Sequence, residues 1–168
     1  MKSLLYFFSK INSKLKVLLK VICAFFMASI TIIVLWGVVA RYFFGSQPAF
    51  TEEIARMFLI ELTFFGAALA FAEKSHIGLD YLSEKFSTSA KKLCSIIASC
   101  ITMFFVMAFL VYGGIELVLT SLKSSNNLVS VNVGVWTVYV CVPMAGVFAI
   151  MFLIEAFLKT LIDRKSVV

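Results

Sequence analysis

Four runs of apolar residues recur along the chain, each set off by a short polar connection. Val21–Ala40, Leu93–Ile115 and Leu128–Ile154 contain no charged residue, and Met57–Ala72 carries a single carboxylate, Glu61. A helix needs roughly 20 apolar residues to cross about 30 Å of hydrocarbon. Three runs meet that length outright, and the fourth meets it once Ile54 and Ala55 are added around Arg56. The pattern therefore predicts an all-α integral membrane protein. Residues 1–168 form a single membrane domain with four transmembrane helices, over about 21–44, 52–73, 92–120 and 132–159.

Two further segments show helical spacing without the length of a span. Across residues 1–20, Leu4, Leu5, Phe8, Ile11, Leu15, Leu18 and Leu19 share one arc of a helix, and five lysines occupy the rest of the circumference. That is the pattern of an amphipathic helix lying in the membrane interface. Leu4, Phe8, Ile11 and Leu15 are its expected anchors. A basic topogenic flank without fixed structure is the competing reading. The loop at 74–91 repeats the idea: Leu79, Leu82 and Phe86 recur at helical spacing and predict a short surface helix over His76–Phe86. His76 and Asp80 stand one turn apart there, close enough to hydrogen-bond; a proton relay is the functional alternative.

Composition supports a membrane protein: 62% of residues are hydrophobic and the mean hydropathy is +1.04, well above soluble domains. Cys23, Cys94, Cys100 and Cys141 all fall in predicted spans without metal-ligand spacing, where thiols act as small apolar groups. The N-terminus is not a cleavable signal, because its basic segment and the apolar run behind it are both too long.

Charge sets orientation. Lysines crowd before span one (Lys2, Lys10, Lys14, Lys16, Lys20) and between spans two and three (Lys74, Lys85, Lys91, Lys92). Lys159, Arg164 and Lys165 follow span four, and only Arg41, Arg56 and Lys123 lie in the other connections. By the positive-inside rule both termini and the Glu73–Lys92 loop are expected in the cytoplasm. The net charge of +6 is thus read as topology and attraction to anionic lipid, not nucleic-acid binding.

Ionisable groups near or inside spans are the places where chemistry could reside. Arg41 closes span one; Glu52, Glu53 and Arg56 open span two after a turn containing Pro48. Thr51 is the expected N-cap. Arg56 is expected to pair with Glu52 or Glu53, and Arg41 to face the same carboxylates across the hairpin. The cluster is read as a structural clamp, compatible with a docking surface. Glu116 follows the flexible pair Gly113–Gly114 and is expected to reach the interface. Pro143 is expected to kink span four. The sequence offers no Ser/His/Asp set, metal cluster, phosphate loop or haem-binding histidine pair, so neither enzyme activity nor a cofactor is expected. Glu61 alone would suit a small cation or drug antiporter. The chain lacks the broken polar helices and inverted repeat of such transporters.

Three blocks in order carry a family resemblance. They are Leu35-Trp36-Gly37-Val38-Val39-Ala40-Arg41-Tyr42-Phe43-Phe44-Gly45 with Thr51-Glu52-Glu53-Ile54-Ala55-Arg56, then Phe65-Gly66-Ala67-Ala68-Leu69-Ala70 running into Lys74-Ser75-His76-Ile77-Gly78-Leu79-Asp80, then Val138-Tyr139 with Val142-Pro143-Met144-Ala145-Gly146. Together they resemble the small, DctQ-type membrane subunit of tripartite ATP-independent periplasmic (TRAP) transporters. Glu61 departs from the family pattern, where an aromatic such as Trp is expected.

The resemblance implies a bacterial inner-membrane scaffold subunit with no transport path of its own. Its implied partners are a large membrane transport subunit, a periplasmic substrate-binding protein and the lipid bilayer. Uptake would be driven by a sodium gradient. The cargo would be an organic acid, of the sialic acid (the SiaQ branch) or C4-dicarboxylate class. A chain ending at Val168 is expected to be unfused to the large subunit.

Single cysteines at Ser13 and Ser125, in a background without native cysteines, test the topology. An impermeant thiol reagent applied to intact cells is expected to label position 125 and spare position 13. The reverse pattern would overturn the orientation.

Overall fold

The backbone obeys one rule: in hydrocarbon every N–H and C=O must be satisfied within the segment, which selects helices. The structure, a computed structural model, describes residues 2–73, 88–124 and 133–163. Helices α1 (Lys2–Phe44) and α2 (Ala49–Ala72) form a hairpin. Helix α3 (Thr88–Phe105), a π-helical segment (Val106–Gly113) and α4 (Gly114–Ser124) follow one another as the third span. A single turn, α5 (Trp136–Tyr139), precedes α6 (Cys141–Asp163). Among the described residues, four stretches are long and apolar enough to cross a membrane: Ser9–Phe44, Ala49–Ala72, Ile97–Ser124 and Trp136–Leu158. The surface helix expected over His76–Phe86 lies outside the described residues.

The expected boundary at residue 20 is not a break. Helix α1 runs unbroken from Lys2 through Phe44, because no proline and only one glycine, Gly37, falls within it. It ends at Gly45, whose φ of +73° takes the left-handed conformation that closes many helices. The Gly45 N–H donates to the Arg41 carbonyl at 3.1 Å. The apolar arc of the first twenty residues divides accordingly. Leu19 is fully buried and Leu15 packs against the core, while Leu18 stays exposed. Leu15, expected as a lipid anchor, is half-buried and also packs against the core.

Helix α6 is the hub. It packs against α2, the π segment, α1, α3 and α4, whereas the third span makes no packed contact with α1 or α2 among the described residues. Of the residues in the apolar window of the fourth span 44% are buried, against 6% in the first. The buried face of α6 reads Cys141, Val142, Ala145, Ala149, Phe152 and Leu153. Small residues let helix backbones approach closely, which is where membrane helices gain most of their contact energy. A Cβ on Gly146 would lie 2.9 Å from Val111 Cγ2 and 3.0 Å from Leu110 Cβ. A Cβ on Gly114 would lie 3.0 Å from the Pro143 ring. These two glycines seat the π segment and α4 directly on α6. Pro143 has no N–H to return to the Tyr139 carbonyl, and the helix is interrupted one turn earlier, at Val140.

On the other side of α6, aromatic rings tie the hairpin to the hub. Phe26 of α1 meets Phe58 at 5.3 Å and stacks on Phe65 at 6.3 Å, both on α2. Phe65 in turn meets Phe148 of α6 at 6.3 Å. Such offset pairs add to the stabilisation that burial alone supplies.

Candidate functional site

Polar chemistry gathers at the two ends of the α1–α2 hairpin. At the turn end, Gly37 brings the helices together: a Cβ there would lie 2.9 Å from Gln47 Nε2 and 3.3 Å from Thr51 Oγ1. Thr51 is 2% exposed, and its position corrects an expectation. It lies inside the first turn and does not cap the helix. Pro48, with φ −64° and ψ 129°, holds the N-cap position. The Thr51 hydroxyl donates back to the Pro48 carbonyl at 2.7 Å and accepts from Gln47 Nε2 at 3.2 Å. The extended backbone of Pro48 starts the helix three residues early, at Ala49, so the threonine closes the turn from within.

The expected ion pairing forms in part. Arg56 Nη2 lies 2.7 Å from Glu52 Oε1, one turn apart on α2 with both side chains exposed. Glu53 is half-buried and engaged. Arg41 is exposed and joins no ion pair among the described residues, so the anticipated pair across the hairpin is not made. An arginine at a helix C-terminus is already favoured by the helix dipole and needs no carboxylate. Glu61 lies on the face of α2 that carries Phe65 and Ala68, half-buried toward α6 and within electrostatic reach of Cys141. Glu116 is exposed in the first turn of α4.

The opposite end holds contacts that sequence reasoning missed. Asn12 is 3% exposed, and its amide Nδ2 donates to the Met151 carbonyl at 3.1 Å and to Glu155 Oε2 at 2.6 Å. These bonds pin the start of α1 to α6. The signal was present: Asn12 interrupts the apolar arc between Phe8 and Leu15. Glu73, the C-cap of α2, meets Lys20 at 2.8 Å and Lys16 at 3.5 Å. The hydrogen bond and charge of Lys20, then the charge of Lys16, hold the Glu73 carboxyl below its ordinary range. Of the other expected residues, Ile11 is half-buried. The side chains of Leu4 and Phe8, and His76 and Asp80 entirely, lie outside the described residues.

Among the described residues no group of three or more His, Cys, Asp or Glu side chains could hold a metal ion. Buried polar side chains there are confined to Asn12 and Thr51, one at each end of the hairpin. Between them the described interior is apolar apart from the half-buried Glu61.

Comparison with known proteins agrees with this architecture. The family model described as "Tripartite ATP-independent periplasmic transporters, DctQ component" matches residues 30–163. A Haemophilus influenzae protein named as a TRAP transporter small permease is 32% identical over 114 residues, 68% of this chain and 65% of that protein. A second protein of that organism and name is 32% identical over 85 residues, 51% of each chain. The ectoine TRAP transporter small permease protein of Halomonas elongata is 27% identical over 132 residues, 79% of this chain and 66% of that protein. In each case the match spans less than two thirds of the relative's length.

The Glu73 cluster carries a pH signature. A carboxyl whose pKa is lowered by folding contributes stability above its unfolded pKa, and that contribution is lost as pH falls through the folded value. The melting temperature in detergent is expected to fall below about pH 4, and less steeply in Glu73→Gln. Being exposed, the pair should also weaken with added salt. Identical acid profiles for the two proteins would show that the cluster contributes nothing.

Proposed function

The chain belongs to the DctQ family of tripartite ATP-independent periplasmic transporter components, and we propose that it serves there as a fixed, non-translocating scaffold. As a small permease of this family it is a transporter component and not an enzyme. One observation carries the scaffold reading. Among the described residues the fully buried polar side chains, Asn12 and Thr51, sit at the ends of the hairpin, and the interior between them is lined by apolar groups such as Phe65, Val106, Ala145 and Ala149 with the half-buried Glu61 beside them. A path for an organic acid or a cation requires a set of polar ligands near the midplane, and no group of three or more His, Cys, Asp or Glu side chains forms around Glu61 among the described residues.

In this reading the bundle lies in the bacterial inner membrane with both termini in the cytoplasm, beside a large membrane subunit that carries the substrate. Its outward apolar surface supports lateral packing: Phe25, Ile32, Leu35 and Trp36 on α1 are all exposed. The turn end, with Arg41 and Glu53, faces the periplasm and helps seat a substrate-binding protein. A sodium gradient drives uptake. The cargo is an organic acid of the sialic acid or C4-dicarboxylate class, chosen by the other two components. The Halomonas elongata relative is named for ectoine, so cargo differs between systems.

Reconstituted vesicles give the test. With the large subunit and binding protein present, Glu61→Gln is expected to transport near the wild-type rate, since it removes a costly group from an apolar span. Arg41→Ala and Glu53→Ala are expected to raise the concentration of loaded binding protein needed for half-maximal uptake. This chain alone is expected to show no flux. Substrate-driven flux from the chain alone, lost in Glu61→Gln, would replace the scaffold with an antiporter.

A further inference from the structure

A narrow cleft runs between α1 and α2 from the turn end toward the middle of the membrane. Its floor is aliphatic, built from Ile30 and Val34 of α1 and Leu59 of α2; its rim carries Gln47, Glu52 and Arg56. The cavity volume is about 380 Å³. From Ile30 to Val38 the cleft descends about 12 Å at 1.5 Å per residue. The hydrocarbon of one leaflet is half of a core about 30 Å thick, so the depth fits a single leaflet. At the turn end the two helices touch through Gly37, where a Cβ would lie 2.9 Å from Gln47 Nε2 and 3.3 Å from Thr51 Oγ1. The groove therefore closes there, and its aliphatic strip suits an extended acyl chain more than a helix about 10 Å across.

The rim states what the headgroup must carry. Arg56 and Glu52 are joined at 2.7 Å, and each remains about 70% exposed. Arginine has five N–H donors in a planar fork and Glu52 engages only one edge of it, leaving donors for a phosphate. The carboxylate beside it offers a second oxygen to an ammonium group. The two rim charges cancel, so a purely anionic headgroup gains little, while a headgroup bearing both charges meets both partners. Gln47 Nε2 is already committed to Thr51, which leaves the ion pair as the recognition element.

We propose that this cleft binds one phospholipid with a zwitterionic ammonium–phosphate headgroup, its chain between Val34 and Leu59 and its headgroup on Glu52 and Arg56. The site belongs to the leaflet on the side of the α1–α2 turn.

Native mass spectrometry of the full chain in mild detergent, offered equimolar phosphatidylethanolamine and phosphatidylglycerol of matched chains, tests it. The wild type is expected to retain one phosphatidylethanolamine in about tenfold preference, the worth of one hydrogen bond to a charged group. Glu52→Gln and Arg56→Gln are each expected to erase that preference. Val34→Trp, which fills the floor without touching the rim, is expected to remove retention of both lipids while circular dichroism stays helical. Equal retention of the two lipids by the wild type, or retention unmoved by Val34→Trp, would overturn the proposal.

Discussion

Between helices surrounded by lipid the hydrophobic effect supplies no lateral force, so a bundle holds together only where backbones approach closely and side chains interlock. Here that condition is met on one helix. Ala145, Gly146 and Ala149 give α6 a face smooth enough for the π segment to rest on it, and Gly114 accepts the Pro143 ring from the other direction. The hairpin docks on the same helix through the rings of Phe65 and Phe148. Everything else is arranged around this hub. A larger residue at Gly146 would have to displace Leu110 and Val111 together, and overpacking of that kind costs about 1–3 kcal/mol.

The polar ends complement that apolar middle. Glu73 with Lys16 and Lys20 closes one end of the hairpin, and the Gln47–Thr51–Pro48 hydrogen bonds close the other. Asn12 adds a buried link from α1 to α6 through Met151 and Glu155. A buried amide bound to a carbonyl and a carboxylate fixes a register that slippery apolar faces would leave free. The result is a bundle tied at both ends and packed in the middle, which suits a part that holds its shape while a neighbour moves.

Much of this was legible in the sequence, because the constraints that built it are one-dimensional. Hydropathy over about 20 residues reports the spans directly, and the order of motif blocks from Leu35 to Gly146 reports the family. What sequence concealed were choices between equally allowed contacts. The period of the first twenty residues correctly indicated a helix. That it continues past Lys20 follows from the lack of a breaker before Gly45, whereas the partners of Asn12, on α6 far along the chain, could not be read from the local pattern. Thr51 had the chemistry of a cap, but the neighbouring Pro48 already had the required backbone conformation. Arg41 and the carboxylates across the turn were close in sequence, yet Glu52 found a partner one turn away on its own helix. The π segment Val106–Gly113 ends on the Gly113–Gly114 pair, which marks flexibility but does not name a π turn; in the fold it lies against Gly146 through Leu110 and Val111.

Rigidity is the property on which the scaffold account stands. Spin labels at Tyr42 on α1 and Tyr112 on the third span, both largely exposed, would report the distance across the α6 hub by double electron–electron resonance. The account predicts one narrow distribution. It should be the same for the chain alone and for the chain assembled with the large subunit and loaded binding protein. A second population that grows when substrate is added would show that the bundle itself moves during transport, and would contradict it.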